Sequence, residues 1–181
     1  MDVERTLIDG VLILRPRIFH DPRGYFLESF NQEDFNRTTG NTTLFVQDNE
    51  SGSAKGVLRG LHLQVGEHAQ AKLVRVAAGA VLDVCVDLRP DSTTFGKHVS
   101  IRLDAHEKTM FFIPAGMAHG FVALEKGTVF LYKCSTPYAP KAERTILWND
   151  PDLAIDWGIK DPLVSEKDLA GQPFATRHWT L

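Results

Sequence analysis

Gly56-Val57-Leu58-Arg59-Gly60-Leu61-His62-Leu63-Gln64 combines the apolar content of a buried β-strand with the polar groups of a site. An Arg, a His and a Gln interrupt the run, and polar groups in a buried strand need partners. Strict alternation puts His62 and Gln64 on one face and Arg59 on the other. Arg59 and His62 reach one cavity only if a bulge re-aims one of them, and Gly60 is the residue that admits it. An isolated histidine there would read as a core residue satisfied by a neighbour, but the polar company of His62 argues for a site.

Outward from this stretch the chain is a succession of short β-branched and aromatic runs broken by Gly, Pro, Asn and Asp. Strands are expected over residues 10–14, 24–30, 43–48, 57–64, 72–76, 81–88, 98–103, 110–113, 120–124 and 128–133. Val81-Leu82-Asp83-Val84-Cys85-Val86-Asp87-Leu88 alternates, with Leu82, Val84, Val86 and Leu88 on an apolar face and Asp83, Cys85 and Asp87 on a polar one. Helices are short: residues 32–38, and a turn in which Ser165 caps Glu166-Lys167-Asp168. Residues 49–56, rich in Gly, Ser and charge, are expected to form a mobile loop. The fold class is mostly β, an antiparallel barrel or sandwich.

With 181 residues and 43% hydrophobic content, the chain can bury one sizeable core, and residues 1–181 are expected to be one domain. A net charge of -3 supplies no basic field for a nucleic-acid backbone, so any anionic ligand must meet a local cluster of Arg and Lys. Asp2, Glu4, Arg5 and Asp9 break up the first residues where a signal peptide needs an apolar run. No segment approaches the roughly 20 apolar residues of a membrane-spanning helix. No membrane partner is expected, and the cytoplasm is the default address. Cys85 and Cys134, each inside a strand-like run, read as core packing in a reduced compartment.

A second histidine stands in Pro114-Ala115-Gly116-Met117-Ala118-His119-Gly120-Phe121. Pro-x-Gly-x-x-His resembles the second signature of the cupin superfamily, and Gly56-x5-His62 resembles the start of the first, which implies a cupin-type jelly-roll β-barrel with short flanking helices. Many cupins hold a metal through His-x-His, a following Glu and the second-motif His. Here Gln64 occupies the second His position, and Gly66-Glu67-His68-Ala69 stands where the carboxylate is expected. A set of His62, His68 and His119 is arithmetically possible and would suit a divalent transition metal. Lys72 follows closely, and a cation there opposes metal binding. Neither a metal nor any other cofactor is therefore expected.

Asp21-x-Arg23-Gly24-x-Phe26-x-Glu28, Gln47-x-Asn49-x-Ser51, the Gly56–Gln64 run, Lys72-Leu73-Val74, Asp83-x-x-x-Asp87-Leu88-Arg89, Phe95-Gly96, the His119 turn, Tyr132-Lys133 and Ser165-x-Lys167-Asp168 follow in this order. Across nearly its whole length the chain resembles the dTDP-4-dehydrorhamnose 3,5-epimerase family. The resemblance implies proton abstraction at carbons flanking the C4 ketone of a dTDP-linked keto sugar, with reprotonation from the opposite face. By similarity His62 is the base, Asp168 the carboxylate that orients it, and Tyr132 the proton donor. Lys72 stabilises the enolate oxygen.

Arg59 and Arg23 are the candidates for the diphosphate, which the guanidinium fork matches. Gln47, Asn49 and Tyr138 match the nucleotide pocket, with Tyr138 available for base stacking; His119 is expected to hydrogen-bond near the sugar or the keto oxygen or else to serve the turn, and Asp83 to orient either His119 or the substrate. The resemblance also implies a homodimer in which Arg23, Phe26 and Glu28 complete the neighbour's site. Without it, Asp168 reads as a solvated charge, Lys72 as an exposed strand charge and Tyr132 as a core aromatic. Phe111, Phe112, Met117 and Val122 are candidates for the apolar wall. Alternative readings are an epimerase of a single carbon, a metal-dependent cupin oxygenase or isomerase, and a non-catalytic sugar-binding cupin.

Overall fold

Alternating side chains in the strand runs give each sheet two faces to bury, and the chain satisfies this by stacking layers. The computed structural model describes residues 1–176. In chain order the elements are β1 (Asp2–Arg5), β2 (Leu12–Arg15), β3 (Phe19–Asp21), β4 (Gly24–Phe26), α1 (Gln32–Thr39), β5 (Gln47–Ser53), β6 (Val57–Gln64), β7 (Lys72–Ala78) and β8 (Ala80–Asp87). They continue with β9 (His98–Asp104), β10 (Met110–Ile113), β11 (Met117–Ala123), β12 (Thr128–Cys134), β13 (Glu143–Thr145), β14 (Leu163–Val164) and α2 (Glu166–Leu169).

One six-stranded sheet runs β1-β2-β10-β7-β12-β5. The other runs β13-β6-β11-β8-β9, with β14 added in parallel beside β6. The jelly-roll arrangement is that of two facing antiparallel sheets. Val74, Val76, Phe111, Ile113 and Phe130 from the first sheet meet Val81, Cys85, Leu103, Met117 and Phe121 from the second. Outside the first sheet, Phe35 of α1 packs on Leu12, Leu14, Leu73, Met110 and Phe112. Outside the second, Ile146, Leu153, Trp157 and Phe174 cover Leu58, Leu61, Leu63, Val84, Val86, Leu88 and Val122.

This layering corrects the reading of β8. Its apolar face points away from the space between the sheets, onto the C-terminal segment, while Asp83, Cys85 and Asp87 are fully buried on the other side. Asp87 is satisfied by Arg89, Ser92 and Thr94, whose side chains donate to it at 2.6–2.9 Å. Residues 49–56 are likewise not a mobile loop. Most of them lie in β5, whose full length pairs with β12, from Gln47↔Cys134 to Ser53↔Thr128. The expected strand over 43–48 begins only at Gln47, and that over 24–30 stops at Phe26. β5 carries polar residues on its inner face because that face borders a cavity, so the usual apolar alternation is missing.

Candidate active site

A cavity of about 600 Å³ opens between the sheets and is lined by His62, Arg59, Lys72, His119, Tyr132 and Asp168, among others. The β6 run supplies both His62 and Arg59 through the expected bulge. His62 pairs with His119 and Arg59 with Phe121, so three steps along β6 match two along β11. Gly60 sits in the bulge at φ +118°, and an added Cβ would lie 2.6 Å from the Gly120 Cα and 2.7 Å from the His119 carbonyl oxygen. Only glycine fits there.

His62 Nε2 contacts Asp168 Oδ1 at 2.5 Å, and the Gly60 N–H donates to Asp168 Oδ2 at 3.3 Å. Asp168 is carried by α2, where the Ser165 hydroxyl caps the helix by accepting from the Asp168 N–H at 3.2 Å. β14 delivers that helix by pairing Val164 with Leu58 of β6. Burial works against ionisation of Asp168, but the hydrogen bond and charge of His62 and the Gly60 N–H outweigh it and lower its pKa. A carboxylate on Nε2 fixes the tautomer and leaves Nδ1, which has no protein hydrogen bond among the described residues, as the nitrogen that can accept a proton.

The second sheet also holds a buried His119–Asp83 pair, with Nε2 at 2.9 and 3.0 Å from the two carboxylate oxygens. Burial raises the Asp83 pKa against the opposing pull of His119 and Lys72.

Tyr132 and Lys72 project from the first sheet, across the cavity from His62. They lie on neighbouring strands, since Tyr132 pairs with Val74 and Cys134 with Lys72. Burial, with a contribution from Cys134, raises the Tyr132 pKa, so its phenol stays protonated at neutral pH. The Lys72 ammonium has no hydrogen bond or ion pair among the described residues, and burial lowers its pKa against the pull of Cys134, Glu143 and Asp83. A cation held in this way favours an incoming oxygen that gains negative charge.

Arg59 is anchored by donating to Ser53 Oγ at 3.2 Å and to the Gly52 carbonyl at 3.1 Å, and among the described residues no carboxylate pairs with it. Along the inner face of β5, Gln47 donates to Asn49 at 2.9 Å and accepts the Tyr138 N–H at 3.0 Å. Asn49 in turn contacts Cys134 Sγ at 3.5 Å. Tyr138 is half exposed at the cavity mouth. Its hydroxyl donates to Glu143 at 2.7 Å, and Glu143 also holds Lys167 at 2.5 Å. The hydrogen bonds of Lys167 and Tyr138 lower the Glu143 pKa in spite of burial.

Glu143 and Lys167 border the cavity; the sequence reading left Glu143 out and quoted Lys167 only as a member of the Ser165-x-Lys167-Asp168 motif, with no role of its own. The only available signal was Lys167 beside Asp168, since Glu143 arrives on a three-residue edge strand.

Three expected residues lie elsewhere. Arg23, Phe26 and Glu28 do not line the cavity of their own chain. Arg23 pairs with Asp21 at 2.5 Å in the exposed β3–β4 hairpin, Phe26 is exposed, and Glu28 contacts Asn31. That agrees with their expected place in a neighbour's site, whereas the expectation for the apolar wall is corrected. Phe111 and Met117 pack in the inter-sheet core, while Phe112 and Val122 face the outer layers. The apolar lining comes instead from residues such as Phe121 and Phe130, stacked at 4.2 Å between centroids.

Gln64, at the second His position of the metal motif, is used to hold loops. It donates to the His68 and Pro137 carbonyls at 2.9 and 3.2 Å and accepts the Ala139 N–H at 2.7 Å. His68 lies on the surface beside Glu67, outside the cavity lining. Among the described residues no group of three or more His, Cys, Asp or Glu is arranged to hold a metal ion.

A family model described as dTDP-4-dehydrorhamnose 3,5-epimerase matches residues 5–176. The chain is 53% identical over 176 residues to the dTDP-4-dehydrorhamnose 3,5-epimerase of Pseudomonas aeruginosa, covering 97% of each. The crystal structure of the enzyme of that name from Elizabethkingia anophelis superposes with a TM-score of 0.93 at 47% identity, covering 97% of both chains. A Legionella pneumophila dTDP-6-deoxy-D-glucose-3,5-epimerase in complex with dTDP-4-keto-L-rhamnose has a TM-score of 0.92 at 46% identity, covering 95% of this chain and 92% of that one.

Proposed function

The chain belongs to the dTDP-4-dehydrorhamnose 3,5-epimerase family, and from that premise we propose how it works on its substrate. It is an isomerase that inverts C3 and C5 of dTDP-4-dehydro-6-deoxy-D-glucose to give dTDP-4-dehydro-L-rhamnose. The observation that carries the residue assignment is the opposition of His62 and Tyr132 on facing sheets across one cavity. A sugar ring held between them meets a base on one face and an acid on the other, the arrangement that inversion requires.

His62 takes the proton from the carbon beside the ketone, and the C–H electron pair moves into an enolate whose charge rests on the C4 oxygen. Asp168 stabilises the resulting imidazolium. Lys72 stabilises the enolate oxygen, and His119, held by Asp83, hydrogen-bonds the sugar. Tyr132 then gives a proton to the opposite face of the same carbon. The imidazolium and the phenolate return to their starting states by exchange with solvent. No electrons are gained or lost by the sugar, so the steps need no redox cofactor.

Arg59 takes the diphosphate, while Gln47, Asn49 and Tyr138 take the nucleoside, with the Tyr138 ring against the base. Residues 1–181 work as one cupin-like domain. The chain forms a homodimer in which the hairpin bearing Arg23 and Phe26, together with Glu28, reaches the neighbour's cavity. The exposure of Phe19, Tyr25 and Phe26 supports this, since such apolar surface favours a covering partner. No helix among the described residues is long and apolar enough to cross a membrane, and the cytoplasm is the proposed compartment.

Incubation with dTDP-4-keto-6-deoxyglucose in heavy water, followed by NMR, tests the reaction. Deuterium at both C3 and C5 is expected. Incorporation at one carbon identifies a single-carbon epimerase, and none at either rejects the reaction for this substrate.

A further inference from the structure

Asp168 rides on a helix of four residues that leaves directly from the two-residue strand β14. Besides the backbone pairing of β14 with β6 and the Ser165 cap, two side-chain ties hold that carboxylate in place. One tie is its own contact with His62 and the Gly60 N–H. The other belongs to its neighbour Lys167, whose ammonium is 2.5 Å from Glu143 Oε2. The same oxygen accepts the Tyr138 hydroxyl at 2.7 Å. Glu143 is therefore a node between the ring at the cavity mouth and the helix that presents the dyad's carboxylate. The backbone reinforces it, because Glu143 pairs with Gln64 and Thr145 with His62 on the edge of β6.

We propose that Glu143 and Lys167 are positioning residues that link the nucleobase end of the cavity to the His62–Asp168 pair, so that a base on Tyr138 contributes to turnover as well as to binding. The inference rests on the proposed stacking of the base on Tyr138. A base laid on that ring sets where its hydroxyl points, the hydroxyl sets the Glu143 carboxylate, and the carboxylate sets Lys167 and the helix that holds Asp168. In energetic terms, binding at a part of the substrate that does not react is spent on aligning the group that does.

The tests use two substitutions in the full-length protein. Glu143→Gln keeps an acceptor for the Tyr138 hydroxyl but loses the ion pair. Lys167→Met, at a half-exposed position with little effect on folding, cuts the tie to α2 alone. Misalignment of a catalytic group costs about tenfold to a hundredfold in rate, so both variants are expected to lose about tenfold or more in kcat while KM stays within about threefold. With ring-labelled histidine, dTDP added to the unaltered protein is expected to shift the His62 nitrogen resonances. The shift should disappear in Lys167→Met although dTDP still binds.

Unchanged kcat in Lys167→Met, or a loss carried wholly by KM, overturns the inference and leaves the pair as simple binding groups. Binding of dTDP that leaves the His62 resonances unmoved overturns it as well. Failure of dTDP to bind the unaltered protein would instead remove the nucleotide-sugar reading itself, and the inference with it.

Discussion

At the residue scale, the tasks proposed for His62 and Tyr132 are separable. Loss of a positioned acid or base costs about 10²–10⁴-fold. His62→Ala is expected to abolish deuterium incorporation at both carbons within that range, measured by NMR in heavy water, and full incorporation would remove the base assignment. In Tyr132→Phe the base remains, so proton exchange should persist from the His62 face while inverted product falls about a hundredfold. Equal loss of both would instead make Tyr132 necessary for abstraction. Asp168→Asn should lower kcat within the same range, because an amide cannot stabilise the imidazolium even where it preserves the contact.

At the element scale, the bulge in β6 and the turn after β8 each depend on a particular residue. Gly60→Ala forces a Cβ against the β11 backbone at a φ that L side chains rarely adopt. The bulge must move, taking His62 and Arg59 apart. A lower melting temperature together with at least a tenfold loss in kcat is expected, and normal values for both would show that the bulge is dispensable.

Asp87 closes the β8–β9 connection. Burial opposes its charge, but hydrogen bonds from Arg89, Ser92 and Thr94 prevail and bring its pKa from 3.8 to about 2. A lowered carboxylate pKa contributes stability above the unfolded value and loses it as pH falls through the folded value. At about 1.4 kcal/mol per unit this is roughly 2 kcal/mol at neutral pH. Thermal unfolding of Asp87→Asn should show that deficit at pH 7, and the gap from the unaltered protein should narrow as pH falls from about 4 to about 2. A gap independent of pH would mean that packing, not charge, holds the turn.

For the whole molecule, the exposed hairpin sets the test. If Arg23 of one chain serves the cavity of the other, His62→Ala and Arg23→Ala chains are each weak alone. A heterodimer of the two contains one intact site, and random exchange at equal amounts recovers about one quarter of full activity. Recovery on mixing supports exchange across the interface. A dimer mass without recovery would confine each site to one chain.

Most strands of both sheets were legible in the sequence, because a two-residue period survives wherever a strand buries a face. The bulge at Gly60 was legible too, since a polar strand with one glycine has few ways to turn Arg59 and His62 to one side. β5 was missed because its inner residues face a polar cavity, and β13 and β14 because two or three residues carry no period. Asp168 and the order of the site motifs came through family resemblance, not periodicity.

By itself the sequence determined a mostly β chain with a bulged, histidine-bearing strand at its centre. Only the tertiary structure decided that His62 and Tyr132 face each other from separate sheets, that Gln64 braces loops, and that Glu143 joins Tyr138 to the helix of Asp168. Local pattern reports which face of its own strand a side chain occupies. What stands opposite that face depends on how distant strands pair and stack, and that is settled by packing across the whole chain.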